Sequence, residues 1–103
     1  MNLDEIRRLV LDGKYFFYTH ALTEAKKDGV TPEDAVYAIL NGEVIEEYPD
    51  RQRVLVFAML SHRIPLHVVC DYSQGNVLLV PTVYIPDDRL WISFRVRRKG
   101  KRK

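Results

Sequence analysis

The hydrophobic pattern of this chain changes at residue 43, from helix-like segments before it to strand-like segments after it. Four runs rich in β-branched and aromatic residues follow, at 43–48, 53–60, 65–72 and 77–85, with short polar turns between them. Helices gathered at one end of a sequence beside a run of strands indicate an α+β fold, in which the helices cover one face of the sheet.

The first part of the chain predicts three helices. Apolar residues recur on one helical face at 3–12, and a second helix is predicted at 20–28. The third helix, at 32–41, has the clearest boundaries, because Thr31 suits the N-cap and Gly42 suits the C-terminal stop.

An additional β-rich run, YFFYT, lies between the first two helices and predicts one early strand. The predicted fold is therefore an antiparallel sheet of four or five strands, with two or three N-terminal helices packed on one face. A chain of 103 residues is long enough for one such domain.

The register of the last hairpin decides where His67 points. If the loop spans residues 73–76, His67 lies opposite Thr82, and side chains alternate strictly between the two faces. One face is then nearly all apolar and forms the floor for the helices, with Leu66, Val68, Cys70, Tyr72, Val77, Leu79, Pro81 and Val83. The other, open face carries His67, Val69, Asp71, Leu78, Val80, Thr82 and Tyr84.

The net charge of +2 is distributed unevenly along the chain. Residues 1–94 carry nine Lys/Arg against fourteen Asp/Glu, whereas the segment RVRRKGKRK at 95–103 carries seven basic residues and no acidic one. We expect a single domain at 1–94 followed by a disordered basic tail. Such a tail attracts polyanions through long-range electrostatics that salt weakens, or simply aids solubility.

Cysteine content and hydropathy indicate the cellular compartment of the protein. Cys70 is the single cysteine, which excludes an intramolecular disulfide and favours a reducing compartment. The start, MNLDEIRRLV, lacks an apolar signal segment, and no apolar run approaches the ~20 residues that a membrane span needs. We therefore expect a soluble cytoplasmic protein.

Several segments resemble a bacterial and archaeal family of domains of unknown function. The resemblance covers roughly residues 16–92 and is carried by THALTEAKKDGVTPEDAVYAILNGEVIEEYPD, PLHVVCDY and TVYIPDDRLW. Members are often encoded beside zinc-finger antitoxins of the MqsA/YgiT type. The family is similar to the RelE, MqsR and BrnT toxins, small α+β ribonucleases that cut messenger RNA. This implies a curved antiparallel sheet with helices on one face and a substrate groove on the other.

The resemblance implies a metal-independent endoribonuclease of the mRNA-interferase type, neutralised by a small antitoxin of the zinc-finger or helix-turn-helix type. Such cleavage needs a base for the 2′-hydroxyl, an acid for the leaving oxygen and positive charge on the phosphate. His20 and His67 are the candidate base and acid, since imidazole titrates near neutral pH, and Tyr84 is a third catalytic candidate. Candidate substrate-binding residues offer charge, hydroxyls or a stacking surface: Lys27, Arg53, Thr82, Trp91, Arg95, Arg97 and Arg98.

Each catalytic candidate also has a structural interpretation. His67 could form a cross-strand hydrogen bond with Thr82, and His20 could contact the backbone at the start of its helix. Tyr84 could be a half-buried strand residue, and Trp91 could close a core.

A non-enzymatic module is the second hypothesis. On the same fold, the sheet edge and the basic tail would hold a protein or RNA partner. No metal or cofactor is predicted, because the histidines and Cys70 lack zinc-ligand spacing and no Gly-rich phosphate loop is present. A small-molecule enzyme therefore has little support.

Overall fold

The computed structural model describes residues 1–99, leaving aside the side chain of His62, and packs three helices on one face of a five-stranded sheet. The helices are α1 (Leu3–Leu11), α2 (Thr19–Lys27) and α3 (Pro32–Asn41). The sheet strands are β1 (Tyr15–Phe17), β2 (Glu43–Tyr48), β3 (Arg53–Met59), β4 (Pro65–Asp71) and β5 (Leu78–Tyr84). A small separate hairpin follows, made of β6 (Trp91–Ile92) and β7 (Val96–Arg97).

Capping boxes define where α1 and α3 begin. The Asn2 side chain accepts from the Glu5 amide at 2.9 Å, and the Glu5 carboxylate accepts from the Asn2 amide at 2.9 Å. Thr31 and Asp34 make the same reciprocal pair at α3, at 3.1 and 3.0 Å. The predicted N-cap at Thr31 is therefore confirmed, since two otherwise unpaired amides are satisfied at each helix start.

The sheet is mixed, with strand order β1-β5-β4-β3-β2. β1 runs parallel to β5, and the other neighbouring pairs are antiparallel. The prediction of a purely antiparallel sheet is wrong at this edge. Parallel pairing requires a long crossover connection, and everything from α2 to β4 supplies it here.

The register between β4 and β5 differs from the predicted one. His67 lies opposite Tyr84, and Val69 lies opposite Thr82. The loop is one residue longer than predicted, which moves the pairing by one position. A register shift between Val69 and Asp71 moves it by one position more. His67 is consequently displaced by two positions from its predicted partner.

The same irregularity changes which residues of β5 face the helices. Leu78, Val80 and Val83 all belong to the helix-side core, although strict alternation places Leu78 and Val80 on the open face. The prediction for those two residues is wrong, because a bulge reverses the alternation partway along the strand.

The main core lies between the helices and the sheet. From β4 it contains Leu66, Val68 and Cys70, all fully buried, as predicted for the inward face of that strand. From α3 it contains Ile39 and two alanines, whose small side chains let the helix approach the sheet closely.

The face opposite the helices is covered by the β6–β7 hairpin. Phe57, His67 and Trp91 are buried there at 3%, 0% and 2% exposure, as a second, smaller cluster. The predicted domain boundary at residue 94 falls within this hairpin. Beyond it, Arg95 and Arg97 pair with Glu43 and Glu46 of β2, and the Arg98 backbone N–H donates to the Leu90 carbonyl. Residues 100–103 of the predicted tail lie outside the described residues.

Val68→Ala should lower the free energy of unfolding by about 1–3 kcal/mol, because truncation of a fully buried side chain leaves a cavity. Val96→Ala is the matched control: that side chain is 58% exposed, and its loss should change stability by no more than about 0.5 kcal/mol. Urea unfolding followed by circular dichroism measures both. Equal effects of the two substitutions would contradict the inward position of Val68.

Candidate active site

His67 is held at both ring nitrogens. Nδ1 lies 3.1 Å from the Tyr84 hydroxyl, and Nε2 lies 2.6 Å from the backbone carbonyl oxygen of Phe94. Because a carbonyl oxygen only accepts, the neutral ring carries its proton on Nε2, and the Tyr84 hydroxyl donates to Nδ1. The imidazole thus joins β5 to the segment between β6 and β7.

Aromatic rings enclose the imidazole. Trp91 meets it edge-on with ring centroids 4.5 Å apart, and Phe57 lies 5.9 Å away on the neighbouring strand. Burial lowers the pKa of His67, although the hydrogen bond to Phe94 and the negative charge of Glu46 act in the opposite direction. His67 faces away from the helices, as predicted, but it is buried by the hairpin and not exposed.

The Glu46 carboxylate lies on the same side of the sheet. A register shift between Val44 and Glu46 turns it toward the hairpin, where the Tyr48 hydroxyl and the Arg97 guanidinium both donate to Oε1. Oε2 has no hydrogen-bond partner among the described residues. Since every buried polar side-chain atom of that part of the chain has a partner, Oε2 reaches solvent.

The charge state of Glu46 follows from its neighbours. Burial raises the pKa of its carboxyl, but the hydrogen bonds from Tyr48 and Arg97 and the charge of Arg97 lower it by more. The pKa therefore lies below its ordinary value of 4.5, and the group is ionised at neutral pH.

Two arginines of the hairpin bind β2 and stack on aromatic rings. Arg97 pairs with Glu46 at 3.1 Å and covers Trp91, with the guanidinium carbon 4.5 Å from the ring centroid. Arg95 pairs with Glu43 at 3.0 Å and lies 4.6 Å above Phe57. These contacts attach the hairpin to the sheet edge through cation–π and ionic interactions.

Tyr84 completes the group. Burial raises the pKa of its hydroxyl to about 12, so the phenol stays protonated at neutral pH. We refer to the five side chains that share this side of the sheet as the hairpin-side cluster: Glu46, Tyr48, His67, Tyr84 and Arg97. Interacting ionisable groups with shifted pKa values mark candidate functional sites.

The structure brings together five of the residues predicted from the sequence. His67 and Tyr84 are hydrogen-bonded, and Trp91 packs on the imidazole. Arg97 contributes to the hairpin-side cluster, and Arg95 lies beside it on the adjacent Glu43.

Other predicted residues lie elsewhere. His20 is exposed on α2, whose buried residues pack into the helix-side core, so the sheet separates it from His67. The predicted pairing of these two histidines is therefore wrong. Lys27 is an exposed residue of the same helix and pairs with Glu24 at 3.6 Å. Neither Lys27 nor His20 is near the hairpin-side cluster.

Three other predicted substrate-binding residues make no contact with the cluster among the contacts between described residues. Arg53 pairs with Asp71 at 2.8 Å on the hairpin side of the sheet, but four residues, roughly 13 Å, along β3 from the strand position opposite His67. Thr82 lies opposite Val69, and Arg98 donates to the Asp88 carbonyl at 3.0 Å.

The sequence prediction missed Glu46 and Tyr48. Strict alternation along β2 would place Glu43 and Glu46 on opposite faces, and the bulge that brings both to the hairpin has no clear sequence signal. One sequence feature could have indicated a site on this strand: the segment EVIEEY carries three carboxylates among apolar residues.

Within residues 1–99, the side chain of His62 excepted, no group of three or more His, Cys, Asp or Glu side chains is arranged to hold a metal ion. In the same part of the chain, every helix is too short or too polar to cross a bilayer.

A family model described as a domain of unknown function, DUF4258, matches residues 17–85, more than half of the chain. The chain belongs to the DUF4258 family. The DUF4258 match runs from the end of β1 to just past β5, and so includes Glu46, His67 and Tyr84. Trp91 and Arg97, which cover the imidazole and bind the carboxylate, follow the matched region. No curated protein matches this DUF4258 chain.

Lowering the pH from about 7.5 to about 5.5 should destabilise the protein, because unfolded His67 takes up a proton that the buried ring resists. The pKa of folded His67 lies below the ordinary 6.5, so its contribution is complete above about 6.5 and is lost as the pH falls toward the folded pKa. Urea unfolding across this range measures the slope, and His67→Asn should flatten it. An NMR titration showing folded His67 with a pKa of 6.5 or higher would contradict this prediction.

Proposed function

We propose that this protein is a metal-independent endoribonuclease that cleaves RNA at the hairpin-side cluster. One observation carries the proposal: an ionised carboxylate with one solvent-accessible oxygen lies beside a guanidinium and two protonated phenols. Base, positive charge and proton donor are the three groups that cleavage by an RNA 2′-hydroxyl requires.

Glu46 is the proposed general base. Its Oε1 is bound by Tyr48 and Arg97, while Oε2 is available to take the proton from the 2′-hydroxyl. The carboxylate is ionised at neutral pH, so it needs no activation by a second base. This assignment replaces His20 in the role that sequence reasoning gave to a histidine.

Arg97 is the proposed phosphate-binding group, and Tyr84 the proposed acid. The guanidinium side chain is 56% exposed, so a phosphate oxygen can approach it while Trp91 supports its other side. The Tyr84 phenol can turn its proton from His67 to the leaving oxygen. His67 itself is enclosed and becomes a positioning residue, which holds Tyr84 in place.

The biological setting that we propose is a cytoplasmic toxin–antitoxin pair. The sheet has helices on one face and the candidate site on the other, and the resemblance to RelE-like toxins led us to expect a substrate groove on that second face. The partner would be a small antitoxin of the zinc-finger or helix-turn-helix type, and the substrate messenger RNA.

Glu46→Gln should reduce RNA cleavage by about 10²-fold or more, because it removes the base while keeping the shape of the side chain. The assay uses the purified full chain and labelled single-stranded RNA, with a chelator present to exclude adventitious metal. Glu47→Gln is the matched control. That side chain is an exposed carboxylate of the same strand, positioned opposite Val54, a residue of the helix-side core.

Equal loss of cleavage in Glu46→Gln and Glu47→Gln would argue against Glu46 as the base. Intact RNA after incubation with the unmutated protein would overturn the enzymatic proposal. Growth of cells that express each variant gives an independent measure, since a toxin should arrest growth and Glu46→Gln should relieve the arrest.

A non-enzymatic interaction module is the second candidate, and a different observation favours it. The outer surface of the hairpin presents Leu90, Ile92 and Val96 at 58%, 46% and 58% exposure. Such an apolar surface suits a protein partner. Binding of RNA or an antitoxin by the unmutated chain, without RNA cleavage, would favour this candidate over the ribonuclease.

A further inference from the structure

A cavity of about 210 Å³ lies beside the hairpin-side cluster, where the end of α3 meets the start of β2 and the end of β3. Its lining includes Tyr37, Asn41, Gly42, Glu43, Phe57 and Arg95. A volume below that of drug-sized pockets suits a single planar ring system rather than a larger ligand.

The cavity combines a stacking surface with a paired acceptor and donor. Tyr37 is 49% exposed and offers an aromatic face. The Glu43 carboxylate and the Arg95 guanidinium pair at 3.0 Å and are each about half exposed, so both retain free hydrogen-bonding positions at the cavity wall. Asn41 donates its amide N–H to the Tyr37 carbonyl at 3.0 Å, which holds this end of α3 in place.

The cavity floor is built by close backbone packing. A Cβ atom added at Gly42 would clash with the backbone carbonyl oxygens of Phe57 and Ala38, so only glycine allows the chain to pass this closely from α3 into β2. Arg7 of α1 donates to the carbonyl oxygens of Ile39 and Gly42 at 2.8 and 2.7 Å and fixes the same junction. The pocket is therefore preorganised, which lowers the cost of binding.

The position of the cavity relates it to the cluster. Glu43 and Glu46 lie on β2, and their partners Arg95 and Arg97 are two residues apart on the hairpin, about 6–7 Å along an extended chain. A phosphate on Arg97 would thus leave the base of an adjoining nucleotide within reach of Arg95.

We propose that this cavity binds a guanine base next to the phosphate that the hairpin-side cluster cleaves. Guanine offers N–H donors on its Watson–Crick edge for the Glu43 carboxylate, and acceptors at O6 and N7 for Arg95. Adenine presents an acceptor at N1, where guanine presents a donor, so it offers the carboxylate at most one donor, from its N6 amino group, in place of the two that guanine offers. Tyr37 stacks on the ring, as aromatic side chains do in single-strand recognition. The proposal rests on the proposed function in taking RNA as the ligand.

Binding tests the cavity separately from cleavage. The full-length Glu46→Gln variant is titrated with guanosine 3′-monophosphate and with adenosine 3′-monophosphate by calorimetry and by NMR. Guanosine monophosphate should bind about tenfold more tightly or better, as one correctly paired base edge provides. Adding Glu43→Gln should abolish the preference, and adding Tyr37→Ala should weaken both ligands by about fivefold or more through lost stacking. Adding Glu47→Gln should change neither.

Equal affinity for the two nucleotides, or a guanine preference that survives Glu43→Gln, would overturn the proposal. Trp91 fluorescence verifies that the hairpin remains packed on the sheet in each variant. A guanine preference in a protein that cleaves no RNA would refute the proposed function and support the base site. Cleavage by the unmutated protein with no guanine preference would refute the base site alone.

Discussion

The buried imidazole of His67 is the interaction on which the hairpin side of the structure depends. Polar ring atoms are buried without penalty only when both are hydrogen-bonded, and here one nitrogen binds a strand residue, Tyr84, and the other the Phe94 backbone. Leaving either ring nitrogen without its hydrogen bond would lower the free energy of unfolding by roughly 1–3 kcal/mol. The ring therefore determines where the C-terminal segment crosses the sheet, and with it the positions of Trp91 and Arg97.

Two irregularities in the strands decide which side chains share that surface. The shift in β2 brings Glu46 to the same side as Glu43, and the shift between β4 and β5 moves Tyr84 opposite His67. A bulge changes the alternation at a small cost in strand pairing, and bulges are common next to functional sites. Without the shift in β2, Glu46, the acceptor for Arg97, would lie on the other face of the sheet. Without the shift between β4 and β5, Tyr84 would not lie opposite His67.

Positive and negative charges are paired one to one at the site, although they are distributed unevenly along the chain. The acidic body and the basic C-terminal segment meet at Arg95–Glu43 and Arg97–Glu46, where each arginine neutralises one carboxylate. An exposed ion pair such as Arg95–Glu43 contributes only about 0–1 kcal/mol to stability. Glu46 is only 21% exposed, but the Arg97 side chain is 56% exposed, so a phosphate can reach that guanidinium. The aromatic rings beneath the arginines stabilise the positions of both side chains through cation–π contacts.

The sequence by itself determined the three helices and the last four sheet strands to within one residue, because caps and apolar periodicity are local signals. It also determined the inward face of β4, where three apolar residues alternate with His67 and Val69. Only the tertiary structure decided the parallel pairing of β1, the burial of His67 and the recruitment of Glu46. Each depends on contacts between segments far apart in the chain, and the two bulges that set the register depend on how neighbouring strands fit together.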